Sequence, residues 1–229
     1  MDNLLLRYMN DRIRPEVKNG DELPGPVITI SRECGCSGRF FAEKLIDRIN
    51  QKINDPNQKW RWVNKEILCM ASKDLGINPH QIKDLIKGKA KTFLDDFASS
   101  FTLKYYGHGA RIRRVIQDVV RHTAIDGHVV IVGRGSEALT QDIQRSLHIK
   151  LFAPLSWKVG IISSRNKISK SEAEKLVIET DKRRLKFVDM FLAKGQEKIV
   201  YDVDFNCAKF TRDEMVEMVL KIAEIKSLI

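Results

Sequence analysis

Apolar positions along this chain change period repeatedly, and each change marks an element. Residues 27–30 (Val-Ile-Thr-Ile) form an apolar run that breaks into a small-residue loop ending in Gly38-Arg39. Phe41, Ala42, Leu45, Ile46 and Ile49 then recur at three- and four-residue steps, which predicts a helix with one apolar face. Residues 60–63 (Trp-Arg-Trp-Val) read as a short strand, and two helical segments are expected over 65–75 and 79–87. The stretch 88–110 is mixed, punctuated by Gly88, Gly107 and Gly109. Ile112, Val115, Ile116, Val119, Val120 and Ala124 give an amphipathic helix that stops at Gly127. Residues 128–133 (His-Val-Val-Ile-Val-Gly) are β-branched without alternation, as in a strand buried on both faces of a parallel sheet. Further strands are expected over 147–152 and 199–205. Ser171 with Glu174, and Thr211 with Glu214, fit capping boxes that open two late helices. Strands that alternate with helices, without repeats, predict a parallel α/β sheet with right-handed crossovers. No linker divides the chain; residues 1–13 suit a short amphipathic helix leading into a loop with Pro24, Gly25 and Pro26.

The loop between the first strand and helix holds the candidate chemistry. Gly35, Cys36, Ser37 and Gly38 would aim backbone N–H groups and a helix N-terminus at a phosphate, with Arg39 as counter-charge. A cation at a helix N-terminus faces an adverse dipole, which favours an anionic partner beside it. The ordinary phosphate-loop pattern wants Gly, four residues, Gly, Lys and a hydroxyl residue, where this chain has Glu33, Gly38, Arg39 and Phe40. On the motif alone, a phosphate cradle and a plain tight turn both stay open. Phe40 cannot coordinate a metal, and the spacing does not select among Ser37, Ser136 or a water held by Glu33. Arg134 follows a buried strand at its carboxyl end, the edge where open α/β sheets bind ligands. Asp181 and Arg184 stand one helical turn apart and suit an ion pair; Arg183 and Arg184 could equally face a transferring phosphoryl group.

The 229 residues carry a formal charge of +10, which points to an anionic partner. Basic clusters stand at 111–114 and 182–186. With no helix-turn-helix, zinc or aromatic stacking signature beside them, nucleic acid is not the expected partner. Cys34, Cys36, Cys69 and Cys207 include no C-x-x-C pair and no zinc spacing. His108, His122 and His128 have no nucleophile or acid at suggestive spacing. No run approaches a membrane span, and residues 1–13 lack a secretion signal, so a cytoplasmic protein without a membrane partner is expected. A homo-oligomer is compatible with all of this.

Several motifs fall in a telling order. They are Ile-Thr-Ile-Ser-Arg-Glu at 28–33, the Gly-Cys-Ser-Gly-Arg loop, Asn-Lys-Glu-Ile-Leu at 64–68, and Val-Ile-Val-Gly-Arg-Gly at 130–135. Ala-Pro-Leu at 153–155, Ser-Glu-Ala at 171–173, Asp-Lys-Arg-Arg at 181–184 and Tyr201-Asp202 followed by Asn206 continue it. From about residue 26 to the end, the chain resembles the cytidylate kinase-like family of P-loop kinases. The resemblance implies a five-stranded parallel sheet in the order 2-3-1-4-5, flanked by helices and covered by a helical lid. Residues 1–25 would then be an extension to a domain spanning 26–229, with an acceptor region near 64–126 and the lid near 156–190. It also implies ATP and Mg²⁺ as cofactors, and phosphorylation of a nucleoside monophosphate, CMP or dCMP first. Gly35, Cys36, Ser37, Gly38 and Arg39 would bind ATP, while Asn64 and Arg134 would bind the acceptor. Arg39, Arg183, Arg184 and Lys158 would neutralise charge, and Asp181 with Arg184 would pair in the lid. The chain departs from the family at Ser37 (usually Gly), Asn64 (usually Asp), Lys158 (usually Arg) and Gly135 (Asp in classical cytidylate kinases). These departures keep open a second reading, a non-catalytic protein that holds a nucleotide or another phosphorylated ligand.

Overall fold

The computed structural model describes residues 24–64, 66–67, 69–71, 106–192 and 198–229. The N-terminal helix expected over 1–13, the helix over 79–87 and much of that over 65–75 lie outside these residues. Five strands, β1 (Val27–Arg32), β2 (Arg61–Val63), β3 (Val129–Val132), β4 (Ser146–Phe152) and β5 (Val203–Asn206), form one sheet. Its order is β2-β3-β1-β4-β5 and all pairings are parallel. β1 is central: Ile30 stands opposite Val132 of β3 on one side and Ile149 of β4 on the other. Every residue of β3 is buried, as its unbroken β-branched run requires.

Helices cover both faces. On one, α1 (Gly38–Lys52) packs Phe41, Leu45 and Ile49 against Ile28, Ile30 and Ile149, and α6 (Arg212–Ile225) adds Val216, Val219 and Leu220. On the other, α2 (Tyr106–Asp126) lays Ile116, Val119 and Val120 on Val129 and Ile131, beside the short α3 (Ser136–Leu139). A third cluster joins α4 (Leu155–Asn166) and α5 (Lys170–Asp189) to the loop after β1, through Val159, Ile162, Ala173, Val177 and Cys34. α4 and α5 therefore share a small core of their own, closed on a loop residue.

Three boundaries differ from expectation. α5 starts two residues early, with the capping box formed by Ser169 and Glu172 rather than Ser171 and Glu174. Both pairs fit Ser-x-x-Glu. Ile168, the residue before the cap, is partly buried against the cluster that includes Ala173, where a hydrophobic staple for a start at Ser169 would lie. The last strand begins at Val203 rather than at residue 199, because Asp202 turns its carboxylate onto the His148 N–H at 2.7 Å and Val200 is exposed. α2 begins at Tyr106 and includes Gly107 and Gly109, which had read as punctuation; in a first turn glycine costs little helix.

Candidate functional site

The carboxyl ends of β1 and β3 meet the N-terminus of α1, and there the chain leaves a cavity of about 290 Å³. Glu33 to Ser37 build its floor. Glu33 N–H is held by Leu151 O at 2.9 Å, Cys36 N–H by Glu33 O at 3.2 Å, and Gly35 turns with φ +86°. α1 starts uncapped: Ser37 makes no side-chain cap, and no acid stands in the first turn. The amides of Gly35, Ser37, Arg39 and Phe40 meet no acceptor among the described residues. Four open donors at a helix start are a geometry that can accept an anion.

The walls are cationic. Arg32, Arg39, Arg165 and Arg184 line the cavity with Glu33 and Asn64. Glu33 is already neutralised. The buried Lys158 donates to its Oε2 and to Asp181 Oδ2, each at 2.8 Å, while Asp181 Oδ1 accepts the Cys34 N–H at 2.6 Å. Burial pulls the Lys158 ammonium down, but its bonds to Asp181 and Glu33 outweigh that and the net shift is upward. These groups fasten α4 and α5 to the loop. Lys158 spends its charge there, and Asp181 takes Lys158 as its near partner, with Arg184 Nη1 at 4.0 Å. Arg184 donates instead to Arg32 O at 2.9 Å, Arg165 reaches Ser37 Oγ at 3.2 Å, and Arg183 is bonded to Thr180 Oγ1 at 3.2 Å.

Arg39 takes an outward position. Its Nε donates to Glu43 one turn on at 2.8 Å, its side chain is 61 % exposed, and its guanidinium stacks 5.8 Å from the Trp62 ring. Arg32, unremarked as a single residue in the sequence, takes the inward one. Its stem passes Gly38, and its guanidinium lies against Gly133, where any Cβ would overlap it. Burial first, then the nearby Arg184 charge, bring the Arg32 guanidinium from 12.5 down to about 9, against the pull of Glu137.

On the far side, Arg134 Nε donates to Asn64 O at 3.0 Å, so the two residues expected at the acceptor are brought together. Asn64 Oδ1 is buried without a partner. Gly133, Arg134 and Gly135 all have φ near +70° (70°, 69° and 68°), a left-handed turn that strains the arginine. Burial, then repulsion from Arg184, lowers the Arg134 guanidinium despite Glu66.

A model of the cytidylate kinase-like family matches residues 27–209. The chain belongs to that family. Solved structures of similar fold include an uncharacterized protein from Eubacterium ventriosum, 19 % identical, covering 87 % of this chain and 98 % of that one at a TM-score of 0.60. A shikimate kinase from Bacteroides thetaiotaomicron is 10 % identical over 87 % and 98 % of the two chains, with a TM-score of 0.48. A gluconokinase from Sinorhizobium meliloti is 11 % identical over 89 % and 95 %, with a TM-score of 0.42. No curated protein matches.

In this member of the cytidylate kinase-like family the described side chains hold no ready-made multidentate cation site, and Phe40 supplies no hydroxyl. No group of three His, Cys, Asp or Glu among them could hold a metal. Phe40 is exposed and carries Arg212 at 5.6 Å over its ring, and Glu33 is consumed by Lys158. Cys36 is buried beside Cys207, and that neighbouring thiol, then burial, pushes its thiol up. Sequence reasoning missed Arg32, Arg165 and Glu137. Glu137 is buried with both carboxylate oxygens unpartnered.

Proposed function

We propose that the protein transfers a phosphoryl group from ATP to a nucleoside monophosphate, with CMP or dCMP the first acceptor to try. One observation carries the reading. Four unclaimed amides face a cavity with four arginines, whose single carboxylate is already neutralised. Such a surplus of positive charge in a crevice suits several phosphates at once. Phosphoryl transfer demands positioning and charge neutralisation more than covalent chemistry, and arginines on four elements can supply both. The loop amides would hold the donor phosphates, and Arg165 and Arg184 would close over them from the lid. Asn64 and Arg134 would hold the acceptor. Mg²⁺ would arrive on the donor phosphates within its own water shell, since it gives up water reluctantly. Membership of the cytidylate kinase-like family supports the choice of acceptor.

A second reading, a binding protein without turnover, is favoured by the outward Arg39 and the missing hydroxyl at Phe40. A coupled assay with ATP, Mg²⁺ and each monophosphate in turn separates the two. ADP formation dependent on CMP or dCMP is the expected result. ATP binding by calorimetry, without ADP release for any monophosphate, would replace the kinase by the binding protein.

A further inference from the structure

We propose that Arg32, which projects inward from the end of β1, is the cation that contacts the transferring phosphoryl group in place of the loop-terminal Arg39. The inference rests on the kinase reading above and deepens it.

Three observations converge on Arg32. The first is place. Its guanidinium lies between the loop, where the donor would sit, and the Gly133 turn that carries Arg134 and reaches Asn64. A group passing from donor to acceptor crosses that point. The second is access: Arg32 is only partly buried, and what remains open faces the cavity. The third is unmet bonding. The guanidinium makes no hydrogen bond to any described residue, although a planar fork of five donors is costly to leave unused in a half-buried site. Its electrostatic neighbours are Arg184 from α5, Arg134 from the β3–α3 turn and Glu137 from α3. Two cations and one carboxylate leave net positive charge around it. Glu137 offsets part of that repulsion without bonding to Arg32, since both its oxygens are unpartnered.

Arg39 lines the cavity too, but its side chain is drawn outward. Its Nε is engaged by Glu43, and its face is stacked on Trp62. The glycines explain how the exchange is possible. Gly38 lets the Arg32 stem pass, with a Cβ there only 3.1 Å from Arg32 Cγ, and Gly133 leaves room for the guanidinium. A phosphoryl oxygen pair would accept the fork that no described side chain now accepts.

The test compares ATP with ADP by calorimetry on the full chain, because only ATP carries the group in question. Arg32→Gln should weaken ATP on the order of tenfold to a hundredfold while changing ADP little. Arg32→Lys, which keeps the charge without the fork, should fall between, and it keeps the test valid if the glutamine variant does not fold. Arg39→Gln should cost ATP less than Arg32→Gln does. Equal losses for ATP and ADP in the Arg32 variants, or a larger loss from Arg39→Gln, would overturn the assignment. Failure of the parent to bind either nucleotide would overturn the kinase reading itself.

Discussion

Arg134 stands in left-handed backbone between two glycines that share its conformation. A non-glycine residue held there costs about 1 kcal/mol or more, and such strain concentrates where a side chain is needed for ligand. Arg134→Gly should therefore raise stability by about 1 kcal/mol in thermal unfolding while weakening the acceptor's KM for every monophosphate alike. A glycine variant that is less stable than the parent would show that Arg134 is held for packing instead. Local reading of the sequence found this residue because a strand end is visible in a short window. It named Arg39 and not Arg32 because the loop motif ends at Arg39. Which arginine turns inward depends on Gly38 and Gly133, 95 residues apart in the chain, and on Glu43 drawing Arg39 away. No short window contains that juxtaposition.

At the level of elements, burial patterns were legible and competing caps were not. The apolar stripe of α1 and the unbroken run of β3 fixed both in register with the core. Of two overlapping Ser-x-x-Glu pairs the sequence reading took Ser171 with Glu174, whereas Ser169 with Glu172 caps α5 and Ile168 packs with the α4–α5 cluster. Ser169→Ala should cost about 1 kcal/mol, the usual loss for a side-chain cap, and Ser171→Ala less than about 0.5 kcal/mol. Chemical unfolding of the two variants measures this; equal losses would return the cap to Ser171. Asp181, on the α5 face that meets Lys158 and Cys34 N–H, docks α5 on the loop after β1.

Across the whole molecule, the alternation of strands and helices was enough to predict a parallel sheet, and β2-β3-β1-β4-β5 is the order that the family resemblance implied. That order puts β1 at the centre, so its loop, the β3 turn and the lid converge on one cavity. Part of the surplus charge of +10 lies there, where four arginines line a cavity with one neutralised carboxylate. The account holds that this cavity binds nucleotide phosphates through arginines and loop amides, with no protein ligand to magnesium. Calorimetric titration of ATP into the full chain, once with Mg²⁺ and once with EDTA, tests that claim directly. Binding in both, with affinities within about tenfold, is the expected result. Binding that vanishes in EDTA, or that is absent in both, contradicts it.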